Sequence, residues 1–167
     1  MSESSDTSRT ELIELLTESD RRQAKRSAVF FVSQFCRTFD PRPDVIPHDI
    51  DFTLYDYQDK FVEQLVDKIA NGGDLFVEKS RDMGVSWVVL AVLVWAWLYL
   101  DGFQALVGSR KEDYVDNGQI DSLFGKIDYL IENIKDPLLL PQGFDNKKHR
   151  TYMKLVNPVN GNTIQGE

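Results

Sequence analysis

The stretch LFVEKSRDMGVSWVVLAVLVWAWLYL, residues 75–100, decides the fold. It begins with a short apolar run at residues 75–78, passes through a polar loop at residues 79–84, and ends in a long apolar segment. A short apolar run after glycines is typical of a buried parallel strand, and a long segment without a polar face is typical of a buried helix. The stretch therefore predicts a strand, a loop and a helix in direct succession.

A second strand is predicted after this helix. Asp101 and Gly102 form a turn signal, and residues 104–107 follow as a short run of strand type. A strand, helix and strand in this order give a parallel pair, with the ligand site where the first loop meets the helix N-terminus. The fold class predicted is α/β, a P-loop NTPase-like parallel sheet flanked by helices, with an N-terminal helical arm and no completed sheet at the C-terminus.

Four segments are predicted along the chain. Residues 1–10 are rich in Ser, Asp and Thr and are expected to be disordered. Residues 11–39 form the helical arm, whose second helix is expected over residues 20–38. Residues 40–50 contain three prolines and read as an extended linker. Residues 51–167 are the front part of the α/β domain.

Within that domain the apolar spacing predicts three further elements. A helix ends at Asn71, before two glycines, and another covers residues 113–135. The pair Asn160-Gly161 between residues 151–156 and 162–164 is a strong hairpin signal. The chain therefore closes on a β-hairpin.

The composition limits the functional classes. The 167 residues are 42% apolar and 28% charged, which is typical of a single globular domain, and the net charge of −8 excludes a uniformly basic nucleic-acid binder. One cysteine, Cys36, excludes an internal disulfide framework and a Cys-rich zinc site. The N-terminus lacks a secretory signal, and the longest apolar run, residues 87–100, is shorter than the roughly 20 residues of a membrane helix. We expect no membrane contact and a cytosolic location.

The polar loop occupies the frame of a phosphate-binding loop, G-x-x-x-x-G-K-[ST]. Gly84 and Ser86 match this pattern, whereas Lys79 replaces the first glycine and Val85 replaces the lysine. The candidate phosphate-binding residues are Lys79, Ser80, Arg81, Asp82, Met83, Gly84, Val85 and Ser86.

The loop nevertheless has the groups that phosphate binding needs. These are backbone N–H donors at a helix N-terminus, a mobile cation and a hydroxyl for Mg²⁺. Lys79 supplies the cation with Arg81 as a second one, Gly84 lets the backbone approach the ligand, and Ser86 supplies the hydroxyl. Asp82 is expected to face solvent. The alternative is an ordinary turn with surface charges.

An adenine-binding pair is predicted upstream. The amide of Gln58 both donates and accepts, which suits the edge of adenine, and Tyr57 offers a ring for stacking. The alternative is that Gln58 is an ordinary surface residue of a helix.

These motifs together resemble the N-terminal ATPase domain of the large terminase subunit of tailed bacteriophages. The similar stretches are residues 36–42, Tyr57-Gln58, residues 79–87, residues 108–113 and the closing hairpin. The most specific of them is the deviant loop, in which Lys79 stands at the first position. The resemblance implies the cofactors ATP and Mg²⁺, with Gln58 at adenine, Lys79, Arg81 and Gly84 at the phosphates, and Ser86 at Mg²⁺.

The resemblance also implies partners. Such a motor couples ATP hydrolysis to translocation of double-stranded DNA into the procapsid, in the cytoplasm of the bacterial host. It works as a homo-oligomeric ring with the portal and the small terminase subunit. A neighbour's arginine completes each site, and Arg110, Arg150 and a residue beyond the end of this sequence are all open for this role. Apart from the resemblance, Lys147, Lys148 and Arg150 form a basic loop patch that is a candidate for contacting DNA phosphates.

The sequence departs from the family after the hairpin. No apolar run ending in Asp-Glu follows Ser86, so we expect the front part of a terminase, with negligible hydrolysis by this chain alone. Two alternatives remain. One is a helicase-like P-loop ATPase, against which Val85 argues, and the other is a non-enzymatic acidic interaction module that docks to portal or small terminase.

Overall fold

The computed structural model describes residues 17–80 and 83–167. Its helices are residues 17–26 (α1), Ala28–Phe35 (α2), Asp56–Asn71 (α3), Val85–Tyr99 (α4), Glu112–Val115 (α5), Leu123–Glu132 (α6) and Asn146–His149 (α7), with a 3₁₀ turn at Pro137–Leu139. Its strands are Arg37–Phe39 (β1), Asp49–Asp51 (β2), Gln104–Val107 (β3), Arg150–Thr151 (β4), Lys154–Val156 (β5) and Thr163–Gly166 (β6). The predicted disordered tail and the start of the predicted arm lie outside the described residues.

The protein is a mixed α/β structure, as predicted, with a small mixed sheet. The four strands of this sheet lie in the order β3-β6-β5-β4. β3 runs parallel to β6, and the other two pairings are antiparallel. Strands β1 and β2 form a separate antiparallel pair.

Helix α4 is the centre of the core. Its 15 residues are apolar all round except for Ser86, and eight of them are buried, as expected for a helix covered on every side. Helices α2, α3 and α6 pack against it, and the indole Nε1 of Trp95 donates to the carbonyl of Ala24 in α1 at 2.9 Å. The predicted buried helix is confirmed. None of the helices in residues 17–80 and 83–167 has the length and hydropathy to span a bilayer.

The C-terminal end of α4 is held by the predicted hairpin. Strands β5 and β6 pair antiparallel and are joined by residues 157–162, so the hairpin is confirmed. The amides of Asn157 and Asn162 each donate to the carbonyl of Trp97 at 3.0 Å, and Asn162 also donates to Leu100. Both asparagines are buried. The carbonyls of Trp97 in the last turn and of Leu100 at the C-cap, which have no partner within the helix, are satisfied in this way.

The strand predicted at residues 75–78 is wrong in this structure. Residues 72–80 are irregular, Phe76 is 94% exposed and Val77 is 44% exposed. A strand forms through hydrogen bonds to a neighbour, and β3, the predicted partner, pairs with β6 instead. The predicted parallel pair between residues 75–78 and β3 therefore does not form, and β3 instead runs parallel to β6 of the hairpin.

The predicted second helix of the arm is also too long. Ser27 interrupts it, because its side chain accepts from the N–H of Phe30 at 3.2 Å and begins a new helix. That helix ends at Phe35, and β1 follows where helix was expected. Arg37 in β1 pairs with Asp49 in β2 at 2.8 Å. The proline-rich residues 40–48 thus connect two paired strands.

The helix predicted over residues 113–135 is divided in two. It forms α5 and α6, and Ser122 begins the second by accepting from the N–H of Gly125 at 3.0 Å. The predicted apolar stripe lies in α6 and the residues beside it, where Phe124, Ile127 and Leu130 are buried. A serine cap inside an apolar pattern therefore set the boundary.

Candidate functional site

The candidate site is the N-terminus of α4. Its cap is Gly84, whose φ of 67° lies in the left-handed region that glycine adopts without strain. The N–H of Val88 donates to the Gly84 carbonyl at 3.0 Å, which closes the first turn. The first N–H groups of a helix have no partner within it and carry partial positive charge. Since glycine has no side chain to cap them, this end suits an anion.

Gln58 connects α3 to this end of α4. Its amide nitrogen donates to the carbonyl of Met83 at 3.1 Å, and its amide oxygen accepts from the N–H of Tyr55 at 3.0 Å. The side chain is buried, with 5% of the residue exposed. Two motifs separated by 25 positions in the sequence are thus in direct contact. The alternative that Gln58 is a surface residue is excluded.

Two tyrosines lie at the start of α3, beside Gln58 in sequence. The rings of Tyr55 and Tyr57 are stacked, with centroids 5.7 Å apart and planes 6° from parallel. Tyr55 is 66% exposed and Tyr57 is 50% exposed. Tyr57 was expected to stack on a base, whereas Tyr55 was not singled out. The Tyr-x-Tyr spacing ahead of Gln58 is the sequence signal for the pair.

The other predicted phosphate-binding residues differ in exposure. Lys79, Ser80 and Ser86 are exposed, and Ser86 lies in the first turn of α4. Met83, Gly84 and Val85 are partly buried. Arg81 and Asp82 lie outside the described residues. The cation and the hydroxyl that the sequence assigns to a ligand are therefore both accessible to solvent.

The predicted Mg²⁺ contact depends on one hydroxyl. Within the part of the chain that the structure describes, no three His, Cys, Asp or Glu side chains are grouped to hold a metal ion. Mg²⁺ prefers oxygen ligands and keeps several waters while bound to substrate phosphates. The exposed hydroxyl of Ser86 fits a site of this kind, in which phosphate oxygens and waters are the remaining ligands.

Side chains of α6 pack against the flank of this helix end. The Trp87 ring contacts Tyr129 edge to face at 5.5 Å, and the Nζ of Lys126 lies 5.8 Å from the Trp87 ring centre. Lys126 donates to the carbonyls of Ile120 and Asp121 at 2.9 and 2.8 Å. Burial lowers the pKa of Lys126. Burial, and then the hydrogen bond to Asp49, raise the pKa of Tyr129.

The structure separates the two arginines that the sequence left open. Arg150 is 10% exposed at its side chain and pairs with Asp116 at 2.9 Å and Asp128 at 2.8 Å. Burial raises the pKa of Asp128 even though the Arg150 guanidinium opposes the rise. Arg110 is exposed and lies 5.2 Å over the Tyr114 ring. Arg150 is thus held inside its own chain, whereas Arg110 faces solvent.

The same finding reduces the predicted DNA patch. Lys147 and Lys148 of α7 are exposed, but Arg150 points into its ion pairs. Two of the three predicted cations therefore remain at the surface.

A shallow cavity of about 450 Å³ lies at the C-terminal end of α4, away from the candidate site, and residues 100–106 line part of it.

No protein-family model matches the chain, and no curated protein matches it either. The functional assignment therefore rests on the residues and their geometry.

Proposed function

We propose that this chain is the ATP-binding part of a bacteriophage DNA-packaging motor, and that MgATP binds at the N-terminus of α4. The observation that carries the proposal is the contact between Gln58 and the Met83 carbonyl. This contact joins the predicted nucleotide motif of α3 to the predicted phosphate loop. A chance resemblance of two short motifs gives no reason for them to meet.

Each exposed group has a role in this proposal. The N–H groups of the first turn of α4 bind phosphate oxygens, favoured by the helix dipole. Lys79 folds back over the phosphates and supplies the positive charge that Val85 does not carry. Tyr57 stacks on the base, and Ser86 holds Mg²⁺. The bound Mg²⁺ would neutralise phosphate charge and orient the terminal phosphate.

The fold that we propose around the site is P-loop NTPase-like. Residues 75–78 lead into the loop where such folds have a strand, and in this chain they are irregular. In the complete motor, copies of this domain form a ring that moves double-stranded DNA, together with portal and small terminase subunits. Arg110, exposed and close to the end of β3, is the better of the two arginines for completing a neighbour's site.

A titration of a fluorescent ATP analogue with Mg²⁺ tests the proposal. Saturable binding is expected for the unchanged chain, and Lys79→Ala should weaken it by about 2 to 4 kcal/mol, because a charged phosphate contact is lost. Lys60→Ala, which removes an exposed lysine from α3, is the matched control and should bind as the unchanged chain does. Equal affinity for all three proteins would contradict the proposal.

Ser86→Ala gives a second test of the same site. Removing the hydroxyl should reduce the gain in affinity that Mg²⁺ provides, while affinity measured in EDTA stays the same. A change in EDTA equal to that in Mg²⁺ would show that Ser86 acts without the metal.

An interaction module is the second candidate, and the exposed apolar surface favours it. Phe76 is 94% exposed, and Leu106 on β3 is 63% exposed. Exposed apolar side chains of this size are common at protein interfaces. If the chain is a module that docks to portal or small terminase, its affinity for that partner should be unchanged by Lys79→Ala and reduced by Phe76→Ser. The two variants therefore separate the candidates.

A further inference from the structure

We propose that Gln58 is a positioning residue that fixes the backbone of the phosphate loop and does not select the base. This inference rests on the proposed function, since it describes how the same site is held ready for a phosphate. It differs from the sequence-based expectation, in which Gln58 recognises adenine.

The side-chain amide of Gln58 is hydrogen-bonded within the protein at both its oxygen and its nitrogen. Both ends of its amide already have backbone partners, the Tyr55 N–H at the oxygen and the Met83 carbonyl at the nitrogen. Only 5% of the residue is exposed. A residue that distinguishes adenine from guanine must present a donor and an acceptor together to the base. Gln58 uses one donor and one acceptor within the protein, and because 5% of the residue is exposed, its second donor and second lone pair are not open to a base.

The contact between Gln58 and Met83 sets the direction of a backbone N–H in the loop. The carbonyl of Met83 and the N–H of Gly84 belong to one planar peptide unit and point in opposite directions. Holding the carbonyl toward Gln58 therefore fixes the direction of the Gly84 N–H. Gly84 alone has wide conformational freedom. Here its φ is 67°, and a Cβ built on it would lie 3.5 Å from the Gln58 amide nitrogen, so Gln58 lies directly beside it.

Gln58 also connects the N-termini of α3 and α4. The Gln58 oxygen that accepts from Tyr55 forms one arm of a capping box at the start of α3. The same side chain therefore caps the N-terminus of α3 and orients the backbone at the N-terminus of α4. A base stacked on Tyr57 would rest on the element that holds the loop, which couples the two parts of the ligand site without a base-specific hydrogen bond.

The variant Gln58→Glu isolates this role. Glutamate keeps the oxygen that accepts from Tyr55, because glutamate and glutamine both serve in a capping box. It replaces the amide donor with a second oxygen, which faces the Met83 carbonyl and cannot bond to it. Gln64→Glu makes the same change of charge at an exposed position of α3 and is the matched control.

The affinities for MgATP, MgGTP and inorganic tripolyphosphate are measured for these proteins. Gln58→Glu and the uncharged Gln58→Met should each weaken all three by a common factor, about 10-fold for Gln58→Met, because both variants lose the contact that serves the phosphates. Any further loss in Gln58→Glu is repulsion between its carboxylate and the phosphates. The ratio of ATP to GTP affinity should not change, and Gln64→Glu should bind as the unchanged chain does. A loss confined to ATP, with tripolyphosphate unaffected, would overturn the inference and assign Gln58 to the base.

Hydrogen exchange tests the inference even if no nucleotide binds. Gln58→Glu should speed amide exchange at residues 83–88 and leave α6 unchanged. Gln58→Met, which is uncharged and lacks the donor, should do the same. If neither variant changes exchange at residues 83–88 relative to Gln64→Glu, Gln58 does not position the loop. Absence of binding with altered exchange would reject the proposed function and keep the positioning role.

Discussion

The two ends of helix α4 differ in how their backbone groups are satisfied. At the C-terminal end, buried asparagines of the hairpin loop donate to the last carbonyls. At the N-terminal end, the cap is Gly84, which has no side chain, and Ser86 is exposed. An end capped by the protein contributes to the stability of the fold. An end that the protein leaves to solvent is the one that a ligand can cap.

The largest expected effect is at the capped end. Asn162→Ala removes the donors to Trp97 and Leu100 and the acceptor of the Phe103 N–H, which lies 2.8 Å from the Asn162 oxygen. Leaving these buried backbone groups without partners should lower the free energy of unfolding by about 4 kcal/mol. Urea denaturation followed by circular dichroism measures this change.

Asn160→Ala is the control for that variant. Asn160 is exposed, and its amide nitrogen has longer contacts with Trp97 and Leu98, at 3.4 Å, while its oxygen accepts from the N–H of Asn162 at 3.0 Å. Its loss should cost about 1 kcal/mol. Equal destabilisation by the two variants would show that burial of the cap is not what holds this end.

A smaller effect is expected at the open end. Gly84→Ala forces a residue with a Cβ into the left-handed region, at a cost of about 1 to 2 kcal/mol. Space is not the obstacle, because that Cβ would lie 3.5 Å from the Gln58 amide nitrogen. Gly84→Asn should cost less, since asparagine adopts this conformation more readily. Thermal unfolding of both variants measures the loss of stability, and nucleotide titration measures whether the affinity changes with it.

The smallest effect is expected next to the open end. Phe76→Ser changes a side chain that is 94% exposed, so the free energy of unfolding should change by less than about 0.5 kcal/mol. If residues 75–78 were a buried strand, the same substitution would cost about 3 kcal/mol or more. Urea denaturation of this variant therefore decides between the irregular segment and the strand that the sequence predicts.

The sequence predicted the elements whose signals are local. The apolar run of α4 and the Asn-Gly hairpin each carry their own pattern within a few residues, and both are confirmed. The strand at residues 75–78 was wrong because a strand also needs a partner, and β3 takes its partner from 163–166, far along the chain. Ser27 and Ser122 moved helix boundaries because a single cap overrides an apolar pattern.

The residues of the candidate site are a prediction from the sequence, whereas their contacts could not be predicted. Gly84 and Ser86 match the spacing of a phosphate loop, Lys79 departs from it and is assigned as the cation, and Gln58 is assigned for its chemistry. That Gln58 holds Met83 depends on how α3 packs against α4, which no local pattern contains. The buried caps Asn157 and Asn162 were missed for a similar reason, because asparagines beside a glycine read as turn residues.

The most direct test of the account compares the two ends in one experiment. A fluorescent ATP analogue is titrated with Mg²⁺ into the unchanged chain, Lys79→Ala and Asn162→Ala, and thermal unfolding is recorded for each. We predict that Lys79→Ala loses affinity and keeps its unfolding temperature, whereas Asn162→Ala unfolds at a lower temperature and, below it, keeps its affinity. Affinity that is unchanged in Lys79→Ala and lost in Asn162→Ala would contradict the account.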